Sequence, residues 1–269
     1  MTGSRDHRRF DTPAKLLASV AASHPRAAFE LAGRLGALRN RIRRRWPSAA
    51  EISALFSRLD RRTAASVAAR AGALHERNRV LVHGIVRYGL DFLRPLVSAS
   101  ESFRAMSGPR IVATFHAGAV HAFGPALERM DAPVLAFRDG SLFASRGTVE
   151  IVSTKGGEQS RSAALHRALL HLRGGGVVFL ALDVYQGEAI ETQCLGRRLR
   201  LAPGAFALAR WTGAPIQLAV ARWEGHRVLI EAGACVTTAE AASFWLEAYL
   251  TGRPEEITLG LLRNLLEIS

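Results

Sequence analysis

The sequence predicts an α/β protein in which a mostly parallel central sheet is covered by helices on both faces, preceded by an all-helical segment. Three observations predict this fold. Residues 1–100 carry helical periodicity almost throughout. After Pro109, short β-prone runs alternate with helical runs. Apolar residues make up 48% of the 269 residues, enough to bury a full core. We therefore divide the chain into a helical segment, 1–100, and an α/β domain, 101–269.

The helical segment opens with signals for three helices. The Asp-Thr pair before Pro13 is typical of a helix start, and His24-Pro25 is expected to end that helix. A second helix is predicted from about Arg26. Ser48 and Glu51 have the spacing of a capping box at the start of a third. The helical pattern then continues to residue 94.

The second helix combines apolar residues at helical spacing with a high density of arginine. The predicted apolar stripe consists of Phe29, Leu31, Leu35, Leu38 and Ile42. Residues 1–50 hold eleven Arg and Lys against three acidic residues, and the whole chain has a net charge of +13. This composition is typical of a helix on an anionic membrane surface, and equally of the solvated face of an ordinary packed helix.

The second half of the chain predicts six strands with helices between them. The β-prone runs are Ile111–Phe115, Val134–Phe137, Val149–Val152, Val177–Leu182, Ile216–Ala221 and Val228–Ala232. The helix-like segments lie near 118–130, 160–173, 203–212, 239–250 and 254–267. Such alternation favours a parallel sheet with helices on both faces.

Several classes of protein are disfavoured by composition. No run of about 18 residues is free of charge, so no membrane-spanning helix is expected. The charged start is unlike a signal peptide, and we expect a cytoplasmic protein. Cys194 and Cys235 belong to no Cys/His cluster, so we expect no structural zinc site. Nucleic-acid binding is suggested by charge alone, without a recognition motif, and is disfavoured.

His116 is the principal candidate for chemistry. It follows the first predicted strand of the α/β region, and open α/β sheets bind their ligands at the carboxyl ends of strands. A histidine there can accept a proton from a bound hydroxyl, because its ordinary pKa lies near neutral pH. The base needs a partner on its other ring nitrogen, and His121 is the nearest candidate in sequence. A zinc site at this pair of histidines is disfavoured, because no third ligand with the usual spacing is present.

Four blocks of sequence resemble, in order, the bacterial lipid A lauroyl/myristoyl acyltransferases, a branch of the lysophospholipid acyltransferase superfamily. The blocks are His116-Ala-Gly-Ala-Val-His121, Ala136-Phe137-Arg138, Gly176-Val-Val-Phe-Leu-Ala-Leu-Asp183, and Cys194-Leu195-Gly196-Arg197 followed by the run from Ala202 to Pro215. Arg45-Trp46-Pro47-Ser48 with Glu51 is similar to the family's preceding helical segment. The resemblance covers about half of the chain well.

The resemblance implies acyl transfer from an acyl-carrier-protein or acyl-CoA thioester to a hydroxyl or amine of a lipid or other small acceptor, with no metal or redox cofactor. His116 is then the general base. The family has Asp or Glu where this chain has His121, and that acid orients the imidazole and stabilises its protonated form. A neutral His121 supplies a hydrogen bond but no negative charge.

Three interpretations of this replacement stay open. An acid from another strand end replaces the missing one, with Asp183 and Glu188 as candidates. His121 itself serves as a weaker partner. Alternatively, catalysis has been lost and the protein binds an acyl chain or lipid without transferring it.

The remaining candidates would hold the substrates. Arg138 is expected to bind a phosphate or carboxylate of donor or acceptor, although an ordinary ion pair with Asp183 is an alternative. Arg146 and Arg161 are expected to extend that anion site. Gly118 is expected to bring backbone N–H groups near a developing oxyanion, or simply to form a tight turn. The basic surface suits an acidic carrier protein or an anionic membrane, and a peripheral position on the inner face of the cell membrane is expected.

Overall fold

The fold is taken from a computed structural model that describes residues 6–43, 47–137, 149–153, 157–185 and 187–266. The described helices are α1 (Asp6–Ala21), α2 (Pro25–Arg43), α3 (Ala49–Leu55), α4 (Arg61–Tyr88), α5 (Glu101–Arg104), α6 (Gly124–Leu127), α7 (Glu158–Arg173), α8 (Gly204–Thr212), α9 (Ala239–Gly252) and α10 (Leu259–Leu266). The strands are β1 (Val97–Ala99), β2 (Arg110–Thr114), β3 (Val134–Phe137), β4 (Val149–Val152), β5 (Val177–Ala181), β6 (Ile190–Cys194), β7 (Arg197–Leu201), β8 (Ile216–Glu224) and β9 (Arg227–Val236).

Seven of the described strands form one sheet in the order β1-β9-β8-β2-β5-β3-β4. All neighbouring pairs are parallel except β8 with β9, which form an antiparallel hairpin. The strands β6 and β7 form a separate antiparallel hairpin. The predicted mostly parallel α/β fold is confirmed, and each of the six predicted strands is present.

Helices cover both faces of the sheet, as the alternation of strand residues requires. Along β2, Ile111 and Ala113 join a buried cluster that includes residues of α3, α7, α8, α9 and α10. Val112 points to a second cluster, which includes residues of α1, α2 and α4. Because successive side chains of a strand alternate between faces, one buried strand serves two cores.

The N-terminal helices differ from the sequence prediction in two details. Helix α1 begins at Asp6, and Pro13 lies inside it rather than at its start. The missing proline N–H removes one helical hydrogen bond, and the burial of Leu17 and its neighbours offsets this cost.

The capping box is confirmed, since Ser48 Oγ accepts from the Glu51 N–H at 3.2 Å and Glu51 Oε2 accepts from the Ser48 N–H at 2.7 Å.

The five residues of the predicted apolar stripe of α2 do not share one burial state. Phe29 is fully buried, but Leu31, Leu38 and Ile42 are exposed. The buried face carries small residues instead, with Gly36 against the backbone of Gly72 in α4. Small residues let two helix backbones approach closely, so this face packs on α4 and the leucine face is left in solvent.

Two of the predicted helices are interrupted. The 118–130 segment contains only a 3₁₀ turn at Val120–Ala122 and the single turn of α6. The 254–267 segment divides into a 3₁₀ turn at Pro254–Glu256 and α10. The division of the chain at residue 100 stays a prediction. The strand β1 lies before that boundary and pairs with β9, so the first 100 residues are not all helical. Among the described helices, none is long and apolar enough to cross a membrane.

Candidate active site

His116 and Asp183 meet at the carboxyl ends of two neighbouring strands. His116 lies two residues beyond β2 and Asp183 two residues beyond β5, and these strands pair in parallel with Thr114 opposite Ala181. The His116 Nδ1 lies 3.0 Å from Asp183 Oδ1. The backbone N–H of His116 donates to both carboxylate oxygens, each at 3.0 Å. The parallel sheet therefore brings together two residues that are 67 positions apart.

The environment of this pair suits a base with an oriented ring. The Asp183 side chain is 2% exposed, whereas that of His116 is 31% exposed. When Nδ1 carries the proton that bonds Asp183, Nε2 is the basic nitrogen. Asp183 thus stands where the first of the three interpretations requires an acid, on a neighbouring strand end.

Residues 255–260, called the C-terminal segment below, hold the loop that carries His116. The Thr258 hydroxyl donates to the His116 carbonyl. The Gly118 N–H donates to the Glu256 carbonyl at 2.8 Å, and Ala117 forms an antiparallel bridge with Ile257. No sequence signal identified these partners, because they are separated from the loop by about half the chain and belong to no recognisable motif.

Gly118 has the tight-turn role. Its φ is +59°, and a side chain there would collide with the Ala221 carbonyl and lie 2.6 Å from Glu256 Oε2. Its N–H is bonded to Glu256, and the next N–H, of Ala119, donates to Ala221 at 2.7 Å. Both amides therefore have protein acceptors, which corrects the expectation that they face a developing oxyanion.

Glu256 is a buried acid with a shifted proton affinity. Its side chain is 4% exposed, and its Oε2 accepts from the Tyr249 hydroxyl. Burial raises the pKa of Glu256 to about 7, against a lowering by the Tyr249 hydrogen bond and by Arg253. Burial and the Glu256 charge raise the pKa of Tyr249 as well. This acid is consequently part-protonated near neutral pH.

A large, mainly apolar cavity of about 860 Å³ opens on one side of His116. Its apolar lining includes Phe123, Leu127, Ile151, Leu165 and Phe179. The volume is in the range of sites that enclose a small molecule or a lipid chain. Polar side chains also line the cavity: Glu158, Arg161, Tyr185 and Glu188.

A smaller cleft of about 390 Å³ lies on the other side of His116. One face of α4 lines it with His75, Asn78, Arg79 and His83, and the C-terminal segment lines it with Glu255, Glu256 and Thr258. His116, Val120 and His121 line both spaces. His116 therefore stands between a large cavity and a smaller cleft, both with mainly apolar lining surface.

The other predicted site residues have different places. His121 lies in the 3₁₀ turn after Gly118 and lines both spaces. Arg161 and the exposed Glu188 line the large cavity. Arg138 and Arg146 lie outside the described residues. Among the residues that the structure describes, no group of three metal-ligating side chains is found.

Comparison with known proteins gives little support beyond this geometry. No protein-family model matches the chain, and no curated protein matches its sequence significantly. A solved structure, the 1-acyl-sn-glycerophosphate acyltransferase PlsC from Thermotoga maritima, aligns over 91% of this chain and 97% of its own, with 11% identity and a TM-score of 0.33. At this TM-score the likeness carries no argument about function.

Proposed function

We propose that the protein is an acyltransferase that moves a fatty acyl group from an acyl-carrier-protein or acyl-CoA thioester to a hydroxyl or amine of a lipid or lipid-like acceptor. One observation carries the proposal. The His116 Nδ1 contacts the buried Asp183 carboxylate at 3.0 Å, and His116 lines both the large cavity and the smaller cleft. A two-substrate reaction needs such a base where its two substrates meet.

The chemistry follows from the two protonation states of His116. The Nε2 atom takes the proton of the acceptor hydroxyl as the hydroxyl oxygen attacks the thioester carbonyl carbon. Asp183 stabilises the resulting imidazolium. The carbon–sulfur bond then breaks, and the leaving thiolate takes the proton from Nε2. The products are an ester and a free thiol, and His116 returns to its neutral form.

The large cavity is proposed to hold the acyl chain of the donor. Its aromatic and aliphatic lining removes apolar chain surface from water. Arg161 is proposed to bind anionic groups of the donor, because guanidinium offers a fixed fork of hydrogen-bond donors. Arg138 and Arg146 are proposed for the same role. Glu188 and His121 are proposed to contact the substrates from the walls that they line.

The exposed face of α2 is proposed to contact an anionic membrane surface on the cytoplasmic side. Leu31, Leu38 and Ile42 share this face and are 47%, 52% and 69% exposed. The exposed Arg34 and Arg41 flank them along the helix. An apolar ridge beside arginines is the pattern of a helix lying in a membrane interface.

The alternative, an acyl-chain or lipid-binding protein without catalysis, depended on the absence of an acid at position 121. The contact between Asp183 and His116 Nδ1 supports an acid partner supplied from a neighbouring strand end. The observed contact favours the enzyme.

Thioester consumption tests the proposal. Purified protein is incubated with palmitoyl-CoA and a panel of hydroxyl and amine acceptors, and free thiol is followed for wild type, His116→Ala and Asp183→Asn. Both variants are expected to lose about 10²-fold or more of kcat, the usual range for a general base and its orienting acid. His24→Ala and Asp131→Asn, at exposed positions away from the cavity, serve as matched controls. Turnover by His116→Ala at the wild-type rate would refute the assignment.

A further inference from the structure

Distant segments of the chain hold the backbone of the loop that carries His116. The His116 N–H donates to the Asp183 carboxylate, and the His116 carbonyl accepts from the Thr258 hydroxyl. Two residues on, the Gly118 carbonyl accepts from Asn78 Nδ2 at 2.7 Å. Backbone groups that leave water need such partners, so these bonds fix where the loop lies relative to the sheet.

The hydroxyl that holds the His116 carbonyl belongs to a firmly anchored threonine. Thr258 stands directly before α10, and its own carbonyl accepts the Leu262 N–H at 3.0 Å. Leu261, Leu262 and Leu265 of this helix are buried in the hydrophobic core. A hydroxyl carries a proton to donate as well as lone pairs, and Thr258 gives that proton to the loop. The core thus fixes the position from which Thr258 holds His116.

Helix α10 also contacts the strand end that carries Asp183. Asn264 Nδ2 donates to the Arg200 carbonyl at 3.0 Å and lies 3.5 Å from the Asp183 carbonyl oxygen. Asn264 Oδ1 accepts from the Arg200 N–H at 3.2 Å, so both ends of this amide are tied to β7. One helix therefore reaches the backbone of both members of the His116–Asp183 pair, through Thr258 at its start and Asn264 within it.

Asn78 supports the same loop from α4. The indole N–H of Trp223 donates to Asn78 Oδ1 at 2.8 Å. Because indole nitrogen only donates, this bond sets the amide oxygen toward Trp223 and the amide nitrogen toward Gly118. Trp223 is buried and packs on Phe29, with 4.9 Å between the ring centroids. The Gly118 end of the loop is thus held by a side chain of fixed orientation.

We infer that Thr258 is a positioning residue, whose hydroxyl holds the His116 backbone and so keeps the imidazole Nδ1 on Asp183. The inference rests on the proposed acyl transfer, in which His116 Nε2 must point at the acceptor hydroxyl. In this role Thr258 exchanges no proton with the substrates and acts only through the backbone of the base. Such a base must lie within about 0.5 Å of its productive place, and a displacement of about 1 Å costs about 10²-fold in rate.

Two variants of similar size test the hydroxyl. Thr258→Val removes it and keeps the shape of the side chain, whereas Thr258→Ser keeps it. With palmitoyl-CoA and an acceptor that wild type uses, Thr258→Val is expected to lose about tenfold of kcat, with the KM for the thioester within about threefold of wild type. Thr258→Ser is expected to keep kcat within about threefold. The matched control is Thr251→Val, in which the lost hydroxyl donates to the Glu247 carbonyl at an exposed position of α9, and wild-type values are expected.

Three kinetic outcomes would overturn the inference. The first is a wild-type kcat in Thr258→Val. The second is an equal loss in Thr258→Val and Thr258→Ser, because the effect would then not come from the hydroxyl. The third is a higher KM without a lower kcat, which would assign Thr258 to substrate binding instead.

The tautomer of His116 reports the position of its ring without any turnover. A ring whose Nδ1–H donates to Asp183 is held in the Nδ1–H tautomer, and nitrogen NMR of protein labelled in its histidine rings distinguishes the two tautomers. At about pH 9, above the ordinary titration range of histidine, wild type and Thr251→Val are expected to show His116 as Nδ1–H. The signal is assigned by its absence from His116→Ala. Thr258→Val is expected to show a measurable Nε2–H population. An unchanged tautomer in Thr258→Val, with the fold intact by circular dichroism, would overturn the inference.

These readouts separate the positioning role from the proposed function. If turnover requires His116 while Thr258→Val changes neither kcat nor the tautomer, the positioning role fails and acyl transfer stands. If turnover does not require His116, acyl transfer itself fails, and the tautomer alone decides whether Thr258 holds the ring.

Discussion

The two walls around His116 are built in different ways. The sheet wall comes from strand ends and the short turns after them, and it carries Asp183 and the apolar cavity. The helical wall comes from α4 and the C-terminal segment, and it carries His75, Arg79 and Glu256. Strand ends in a parallel sheet place catalytic groups precisely, whereas a long helix offers a row of side chains for binding. In the proposed acyl transfer, the chemistry and the acyl chain belong to the first wall.

A variant that fills part of the large cavity in the sheet wall should have the largest effect on the choice of acyl donor. Ala136 is buried on β3 and lines the large cavity. In Ala136→Phe the added ring occupies chain space, so kcat/KM with palmitoyl-CoA is expected to fall about tenfold or more. With butyryl-CoA, which needs less of the cavity, the same variant should stay within about threefold of wild type. Initial rates with the two donors measure the ratio, and circular dichroism checks the fold.

An equal loss with both donors would place the acyl chain elsewhere. It would also remove the contrast between the two walls, because the apolar cavity would then have no role in donor selection.

In the helical wall, titration of the buried Glu256 should make the free energy of unfolding depend on pH. The folded state raises the pKa of Glu256 from 4.5 to about 7, so it binds this proton more tightly than the unfolded chain does. The free energy of unfolding should therefore fall as the pH rises from about 4.5 to about 7, and this contribution should be level above that range. Glu256→Gln removes the titration, and its free energy of unfolding should exceed that of wild type by about 3 kcal/mol at pH 8.

Urea unfolding at pH 5 and pH 8 measures this difference. Glu255→Gln, at the adjacent and more exposed position, is the matched control and should keep most of the wild-type slope, because burial rather than the Glu255 charge is the main cause of the Glu256 shift. A wild-type slope in Glu256→Gln would contradict the assignment of the titration to this residue.

The smallest effect is expected on the exposed face of α2, the helix that packs on α4 behind the helical wall. Leu38 on α2 and Leu170 on α7 are 52% and 53% exposed, so they form a matched pair on different helices. Leu38→Ser should weaken binding to vesicles of phosphatidylglycerol about fivefold, because one partly buried leucine contact with the interface is lost. Leu170→Ser should bind as wild type does. Equal losses in a sedimentation assay would refute membrane contact by α2.

Much of the fold was predictable because strands and helices have local sequence patterns. The six strands appear as short β-prone runs, and the capping box at Ser48 follows from two residues three apart. The three-residue β1 is too short for any periodicity to reveal it. The predicted helix over 118–130 is too long. The positive φ of Gly118 and its hydrogen bond to Glu256 interrupt it, and both depend on a distant segment. Which face of α2 packs on α4 was not predictable, since a helical pattern does not say that glycine contacts decide it.

The sequence by itself determined that His116 and Asp183 each follow a buried strand, and hence that both stand at the carboxyl edge of the sheet. It could not determine that β2 and β5 are neighbours, and this adjacency is what brings Asp183 rather than a residue of the same loop to His116 Nδ1. The smaller cleft also depends on the tertiary structure, since α4 and the C-terminal segment are more than 160 residues apart at Arg79 and Glu255. Periodicity indicates the secondary structure of a segment and its apolar face. Strand order and the packing of distant segments depend on the burial of the whole core.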